Sequence, residues 1–317
     1  MPLEMLREPI TPLGLHYLLI HFDIPELRDF RLAVGGRSFS LEELQARERL
    51  TVPVTLECAG NGRALLDRHE PSQPWLNEAV GTAEWTGTPL APLLRETGLA
   101  EGALEIVFTG ADRGFQGGVE HAYARSLPVA EALRDDVLLA YEMNGRPLLP
   151  QHGAPLRLVV PGWYGMTHVK WLTSIAATDV EFDGWQQAEA YRIDGVPVQR
   201  IEPRALLVPP GIPDFLSRDR FAAPGAHEIV GRAWSGYAPI ERVEVSVDGG
   251  DWQPARLEAQ PGDYAWVGWR WTWHAEPGEH ELRCRATDAS GRTQPEVAGW
   301  NHGGYCNNAI QRVRVKV

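Results

Sequence analysis

Five prolines between positions 197 and 213 limit how this chain can fold more than any other feature. Pro197, Pro203, Pro209, Pro210 and Pro213 each lack a backbone donor and fix φ, so neither a helix nor a central strand forms readily among them. The stretch reads as a linker. It predicts a first domain over residues 1–205 and a second over 206–317. A chain of 317 residues, at roughly 150 per domain, lets each half bury its own core.

The first half reads as a mixed α+β unit. Leu41 to Arg47 and Val129 to Leu133 are short helical candidates. Val52 to Leu56, Leu104 to Thr109, Leu138 to Glu142 and Leu156 to Val160 are short β-rich runs. Asn144-Gly145 follows one of them as a hairpin turn signal. The second half reads as all-β. Val243, Val245 and Val247 alternate with Arg242, Glu244 and Ser246, and Asp248-Gly249 then closes a hairpin. Leu282, Cys284 and Ala286 alternate with Arg283 and Arg285 in the same way. Closely spaced turns predict an immunoglobulin-like sandwich. Trp269, Trp271 and Trp273 fall on one face of a strand, leaving Arg270 and Thr272 on the other.

Composition removes several classes. Apolar content of 44% and charged content of 23% fit a folded protein rather than a disordered one. A net charge of -12 argues against nucleic acid as a partner. No run approaches the roughly 20 apolar residues of a membrane span. Met1-Pro2-Leu3-Glu4 lacks the basic-then-apolar pattern of a leader. The expectation is a cytoplasmic protein, or a periplasmic one whose export leader is missing from this chain. Cys58, Cys284 and Cys306 show no C-x-x-C spacing, so no zinc knuckle or disulfide framework is signalled.

Cys58 lies where the run Val52 to Glu57 passes into Ala59-Gly60-Asn61-Gly62. A turn after a strand can present a side chain, and a soft thiolate suits a transition metal. On spacing alone, a small buried hydrophobe is the better reading. Arg157 interrupts an apolar strand, and buried it needs an anionic partner. His168 and Lys170 share one face if extended. His152 adjoins Gly153 in a turn, and Asp112 sits in a loop after an apolar run. Each of these has an ordinary reading as a surface, turn or core residue.

A wider pattern resolves the ambiguity. Leu56-Glu57-Cys58-Ala59-Gly60-Asn61-Gly62-Arg63 resembles the molybdenum-cysteine segment of sulfite oxidases and plant-type nitrate reductases. Trp75 and Ala79 to Trp85, then Leu138 to Gly145, His152 to Arg157, Val159 to Gly162 and Gly165 to Trp171 follow in the family's order. Trp300-Asn301, Gly304-Tyr305 and Asn307-Asn308 resemble its closing strand. The likeness covers nearly the whole chain, and the ordered set is far more specific than any one motif.

The resemblance to the sulfite oxidase family, in its haem-free bacterial form, implies a molybdopterin-binding domain followed by an immunoglobulin-like dimerisation domain. It implies a molybdenum–molybdopterin cofactor with Cys58 as metal ligand. His21, Asp112, His152, Arg157, His168, Val169 and Lys170 match cofactor-binding positions. Tyr141 and Arg270 match the active-site tyrosine and a substrate-side arginine. The implied partners are a small anionic or oxo-type substrate, an external electron acceptor such as a cytochrome, and a second copy of the chain. His-Pro-Gly-Gly and C-x-x-C-H are both absent, so no haem is expected in this chain.

Two family cations are replaced. The N-terminal arginine falls at Leu19, and a basic residue after the ligand cysteine falls near Pro71. Arg63, Arg68 or His69 offers compensation. A lost charge-assisted hydrogen bond to an oxyanion costs about 1.5–3 kcal/mol. The leading expectation is oxidation of sulfite to sulfate. A second is reduction of an S-oxide, an N-oxide or nitrate on the same cofactor. A third is a non-catalytic interaction protein with an empty pocket.

Overall fold

A computed structural model describes residues 1–67 and 72–317. The chain folds into two compact units. One comprises Tyr17–Ala59 and Ala83–Gln199; the other comprises Met1–His16, Gly60–Thr82 and Arg200–Val317. The sequence halves and the compact units therefore differ, because residues 1–16 and 60–82 group with the C-terminal part.

The first unit is mostly β, with few and short helices. One sheet runs in the order Arg37–Ser40, Arg31–Val34, Leu172–Thr178, Glu105–Gln116, Val119–Pro128. Only the pair Arg31–Val34 and Leu172–Thr178 is parallel. The other sheet runs Leu50–Glu57, Val80–Pro89, Leu138–Met143, Arg146–Pro147, with Arg157–Val159 also on Leu138–Met143. Leu32, Ile106, Phe108, Leu139 and Leu158 belong to one continuous buried cluster. Both helical candidates form, as Leu41–Gln45 and Val129–Ala132. Ser40 and Glu43 make a reciprocal capping box that starts the former. Leu90–Thr97 and Trp185–Ala188 are additional helices. Asn144 and Gly145 take φ of 52° and 71°, the double positive φ of a tight hairpin turn.

The second unit is an immunoglobulin-like sandwich. One sheet is ordered Arg204–Leu207, Gly225–Trp234, Val267–Ala275, Arg256–Leu257. The other is ordered Ile212–Pro213, Arg220–Phe221, Gln311–Lys316, Glu279–Asp288, Ile240–Val247, Gln253–Pro254. Val243, Val245, Leu282, Cys284 and Ala286 point into its core, as their alternation predicts. Trp269 and Trp273 are buried and Arg270 and Thr272 exposed. The proline-rich stretch is more than a linker. Its prolines flank Arg204–Leu207 rather than interrupt it, and this strand is wholly buried at a sheet edge.

Hydrogen bonds explain why distant segments join this unit. Arg232 donates from Nε to Leu6 O at 2.9 Å and from Nη2 to Arg7 O at 2.8 Å. Arg63 Nε donates to Gly303 O, and Asn307 Nδ2 to Gly62 O, both at 2.7 Å. Trp300 Nε1 donates to Asp67 O at 3.0 Å. The motif residues near the C-terminus thus hold the turn that follows Cys58.

Candidate active site

The strand Leu50–Glu57 becomes fully buried from Val54 onward, and Cys58 follows it with 6% of its surface exposed. The groups acting electrostatically on the Tyr17 hydroxyl include Cys58, Arg157, Glu57 and Tyr123. Burial, and then the neighbouring Cys58, hold this phenol well above its ordinary pKa, so it stays protonated. A Cβ built on Gly165 would strike the Tyr17 hydroxyl, so the glycine is what lets the ring lie there.

Arg157 opens the strand Arg157–Val159 and is buried. Nη1 donates to His152 O at 2.9 Å and Nη2 to His168 O at 3.2 Å. Its guanidinium lies 4.6 Å from the ring centroid of Trp85. Burial lowers its pKa to about 10, so it remains a cation at neutral pH. Its Nε has no hydrogen-bond partner.

Lys170 donates from Nζ to Leu19 O at 2.7 Å and lies 4.4 Å from the Trp171 ring centroid. Burial first, and then Arg157, bring its pKa down to about 7, with Asp112 acting the other way. Asp112 is itself buried, and its Oδ1 lacks a partner. Burial lifts its pKa to about 6. His21 Nε2 and Tyr191 Oη share a hydrogen bond of 2.7 Å, and the His21 ring packs 4.8 Å from that of Tyr123. Burial and then Lys170 lower the His21 pKa to about 4, leaving a neutral imidazole.

These interactions link Cys58, Tyr17, Arg157, Lys170, Asp112 and His21 within one unit. Other expected residues make contacts of their own within the protein. His168 accepts from Val160 N at 3.1 Å through Nδ1 and bonds Trp163 O at 2.9 Å through Nε2. Its ring is therefore a brace between main-chain groups, with the proton on Nε2. His152 contributes its carbonyl to Arg157, and Val169 is fully buried with its carbonyl on Leu158 N. Tyr141 does not join the set: it packs in the apolar core, and the charged groups acting on it are Arg49 and Glu142. Arg270 lies in the sandwich unit and pairs with Glu228 at 3.3 Å and with Glu258. Two carboxylates already occupy that guanidinium, which weakens it as an anion holder. Arg63 is committed to Gly303 and lies 5.2 Å from the Tyr305 ring centroid. Pro71, Arg68 and His69 lie outside the described residues.

Sequence reasoning missed Tyr17, Trp85 and Tyr191. His21 and Tyr191 stand 170 positions apart, and no local periodicity links them.

The donor set fits an anionic, metal-bearing cofactor. Arg157 and Lys170 form no direct ion pair among the described residues, and Asp112 is the one carboxylate that acts on Lys170. The orphaned Arg157 Nε and Asp112 Oδ1 offer one donor and one acceptor to a ring rich in heteroatoms. Among the described residues no cluster of three His, Cys, Asp or Glu could hold a bare metal ion. A metal on Cys58 must bring its other ligands with it.

Comparison with known proteins agrees. Residues 21–186 match the family described as oxidoreductase molybdopterin binding domain, and residues 204–317 match the Mo-co oxidoreductase dimerisation domain. The chain is 37% identical to sulfite oxidase of Gallus gallus, covering 98% of this chain and 74% of that one. It is 35% identical to mitochondrial sulfite oxidase of Rattus norvegicus, covering 100% of this chain but only 63% of the rat protein's length. The structure of the sulfane dehydrogenase SoxCD from Paracoccus pantotrophus superimposes with a TM-score of 0.82 at 29% identity, covering 97% of this chain and 81% of that one.

Proposed function

The chain belongs to the sulfite oxidase family of molybdopterin-binding oxidoreductases, and from that premise we propose that it oxidises sulfite to sulfate and passes the electrons to an external carrier such as a cytochrome. Its cofactor is molybdenum–molybdopterin. When bound, that group supplies two-electron oxygen-atom transfer. Sulfite and water give sulfate, two protons and two electrons, which a one-electron carrier accepts in two steps.

In this reading Cys58 holds the metal. Arg157 and Lys170 would hold the anionic cofactor, and Asp112 and the neutral His21 would offer it hydrogen-bonding groups. The protonated Tyr17 phenol is a candidate donor to substrate beside Tyr141, the tyrosine that the resemblance puts in that role. Arg270, paired with Glu228 and Glu258 in the sandwich unit, is the weaker candidate for the substrate-side cation. The unit acts as a homodimer through residues 204–317, the span matched by the dimerisation family. The observation that carries the reading is Cys58 at a strand end, acting with the buried cation Arg157 on the Tyr17 hydroxyl, with Arg157 in turn acting on Lys170.

One observation favours reduction instead. Leu19 stands where a cation is expected and offers only its carbonyl, and Lys170 takes that. Such a pocket suits a less anionic substrate, an S-oxide, an N-oxide or nitrate. The interaction-protein reading gives way to family membership and the retained Cys58, Arg157 and Lys170. Steady-state assays of metal-loaded protein separate the two directions. Sulfite with an oxidised cytochrome turns over under the proposal. Turnover only of a sulfoxide, N-oxide or nitrate with a reduced dye contradicts it. Among the described residues no helix is long and apolar enough to cross a membrane.

A further inference from the structure

The sandwich unit displays a built apolar knob. Phe215 and Leu216 sit side by side in the turn between Ile212–Pro213 and Arg220–Phe221, 91% and 86% exposed. The turn is fixed rather than loose. Asp214 Oδ2 accepts from Leu216 N at 3.0 Å and from Ser217 N at 2.6 Å, and Asp214 N donates to Asp219 O at 2.7 Å. Asp219 is in turn pinned by Arg314 at 2.7 Å and Lys316 at 3.1 Å. Two large apolar side chains held in water by these hydrogen bonds and ion pairs lose little freedom on docking.

Beside the knob, in the same unit, lies a cleft of about 630 Å³. Leu3, Leu65, Leu76 and Val313 line it, together with Glu78 and with Arg218 of the knob's own turn. Leu65 and Leu76 are 57% and 45% exposed, so the cleft also presents uncovered apolar surface. Arg218 has no ion-pair partner among the described residues. Knob and cleft thus share one face, the condition for an interface that closes on itself about a two-fold axis.

We propose that Phe215 and Leu216 of each copy seat in the cleft of a second copy of this chain, forming the two-fold interface of the homodimer proposed above. Arg218 accompanies the knob and meets the carboxylate of Glu78 across the interface. Charge supports this occupant. Two copies of a chain carrying -12 repel at long range, and a face that offers arginine as well as glutamate lets them meet with opposite signs.

Sedimentation velocity on the cofactor-loaded full chain tests the surface. The variant Phe215→Ser with Leu216→Ser is compared with wild type and with Phe115→Ser, an exposed phenylalanine of the other unit. The expected result is a wild-type dimer whose dissociation constant rises at least about a hundredfold in the double variant, as for two apolar anchors. Phe115→Ser should match wild type, with circular dichroism and molybdenum content unchanged in all three. A wild-type dimer that the double variant leaves intact overturns the surface alone. A wild type that stays monomeric overturns the homodimer reading as well.

Discussion

The Lys170 ammonium lies 2.7 Å from the carbonyl oxygen of Leu19, the position where the family resemblance places an arginine. The bond uses the main chain of position 19, while the Leu19 side chain brings no charge. The hydrogen bond orders the segment before His21, and Asp112 is the carboxylate that acts on Lys170, without a direct ion pair among the described residues.

Lys170 titrates near 7 in the folded cofactor-free protein, against 10.5 for an ordinary lysine. Between those values the unfolded chain binds more protons, so cofactor-free protein gains stability as pH rises across that window. Lys170→Met should abolish the gain and also retain less cofactor. Thermal melts of cofactor-free wild type and variant at about pH 7 and about pH 9 check the first effect, and metal analysis the second.

Arg157 ties two buried carbonyls, those of His152 and His168, into one corner of the pocket. Arg157→Gln should cost about 2–4 kcal/mol, because both carbonyls lose a charged donor. Arg157→Lys keeps the charge without the fork and should fall between. Urea denaturation measures the loss, and molybdenum content should fall in the same order.

The sequence made some of this legible. The strand passing into a glycine-rich turn at Cys58 was visible, and so were Asn144-Gly145 and Asp248-Gly249, because tight turns have local signals. Arg204–Leu207 was obscured by its flanking prolines. The helix Leu90–Thr97 carried its signals, Pro89 before it and Gly98 at φ 67° after it, but its apolar positions form too short a pattern to stand out. Tyr17, Trp85 and Tyr191 gain their places only through packing across the fold. Tyr141 lies in a distinctive strand motif, and its ring packs against the core while Arg49 and Glu142 act on its hydroxyl.

Gly165 and Tyr17 should behave as a coupled pair. A Cβ at Gly165 meets the Tyr17 hydroxyl and approaches Glu57 O to 3.2 Å. Gly165→Ala should cost about 1–3 kcal/mol and lower turnover by displacing the phenol. In a Tyr17→Phe background the same change should cost less, since the colliding oxygen is gone. A double-mutant cycle on stability reads this directly, and strict additivity would count against the coupling.

Arg270 should prove nearly silent. Its exposed guanidinium is shared between Glu228 and Glu258. Arg270→Ala should leave kcat/KM for sulfite within about threefold and the melting temperature close to wild type. A KM increase of more than about tenfold, the size expected when a charge-assisted hydrogen bond to the substrate is removed, would restore it as a substrate ligand.

The central claim is that the Cys58 thiolate holds the catalytic metal. Turnover per bound molybdenum in Cys58→Ser tests it most directly. The account predicts a fall of more than about a hundredfold, beyond what losing an outer-shell partner costs. A variant that binds molybdenum and turns over at the wild-type rate per metal would contradict it.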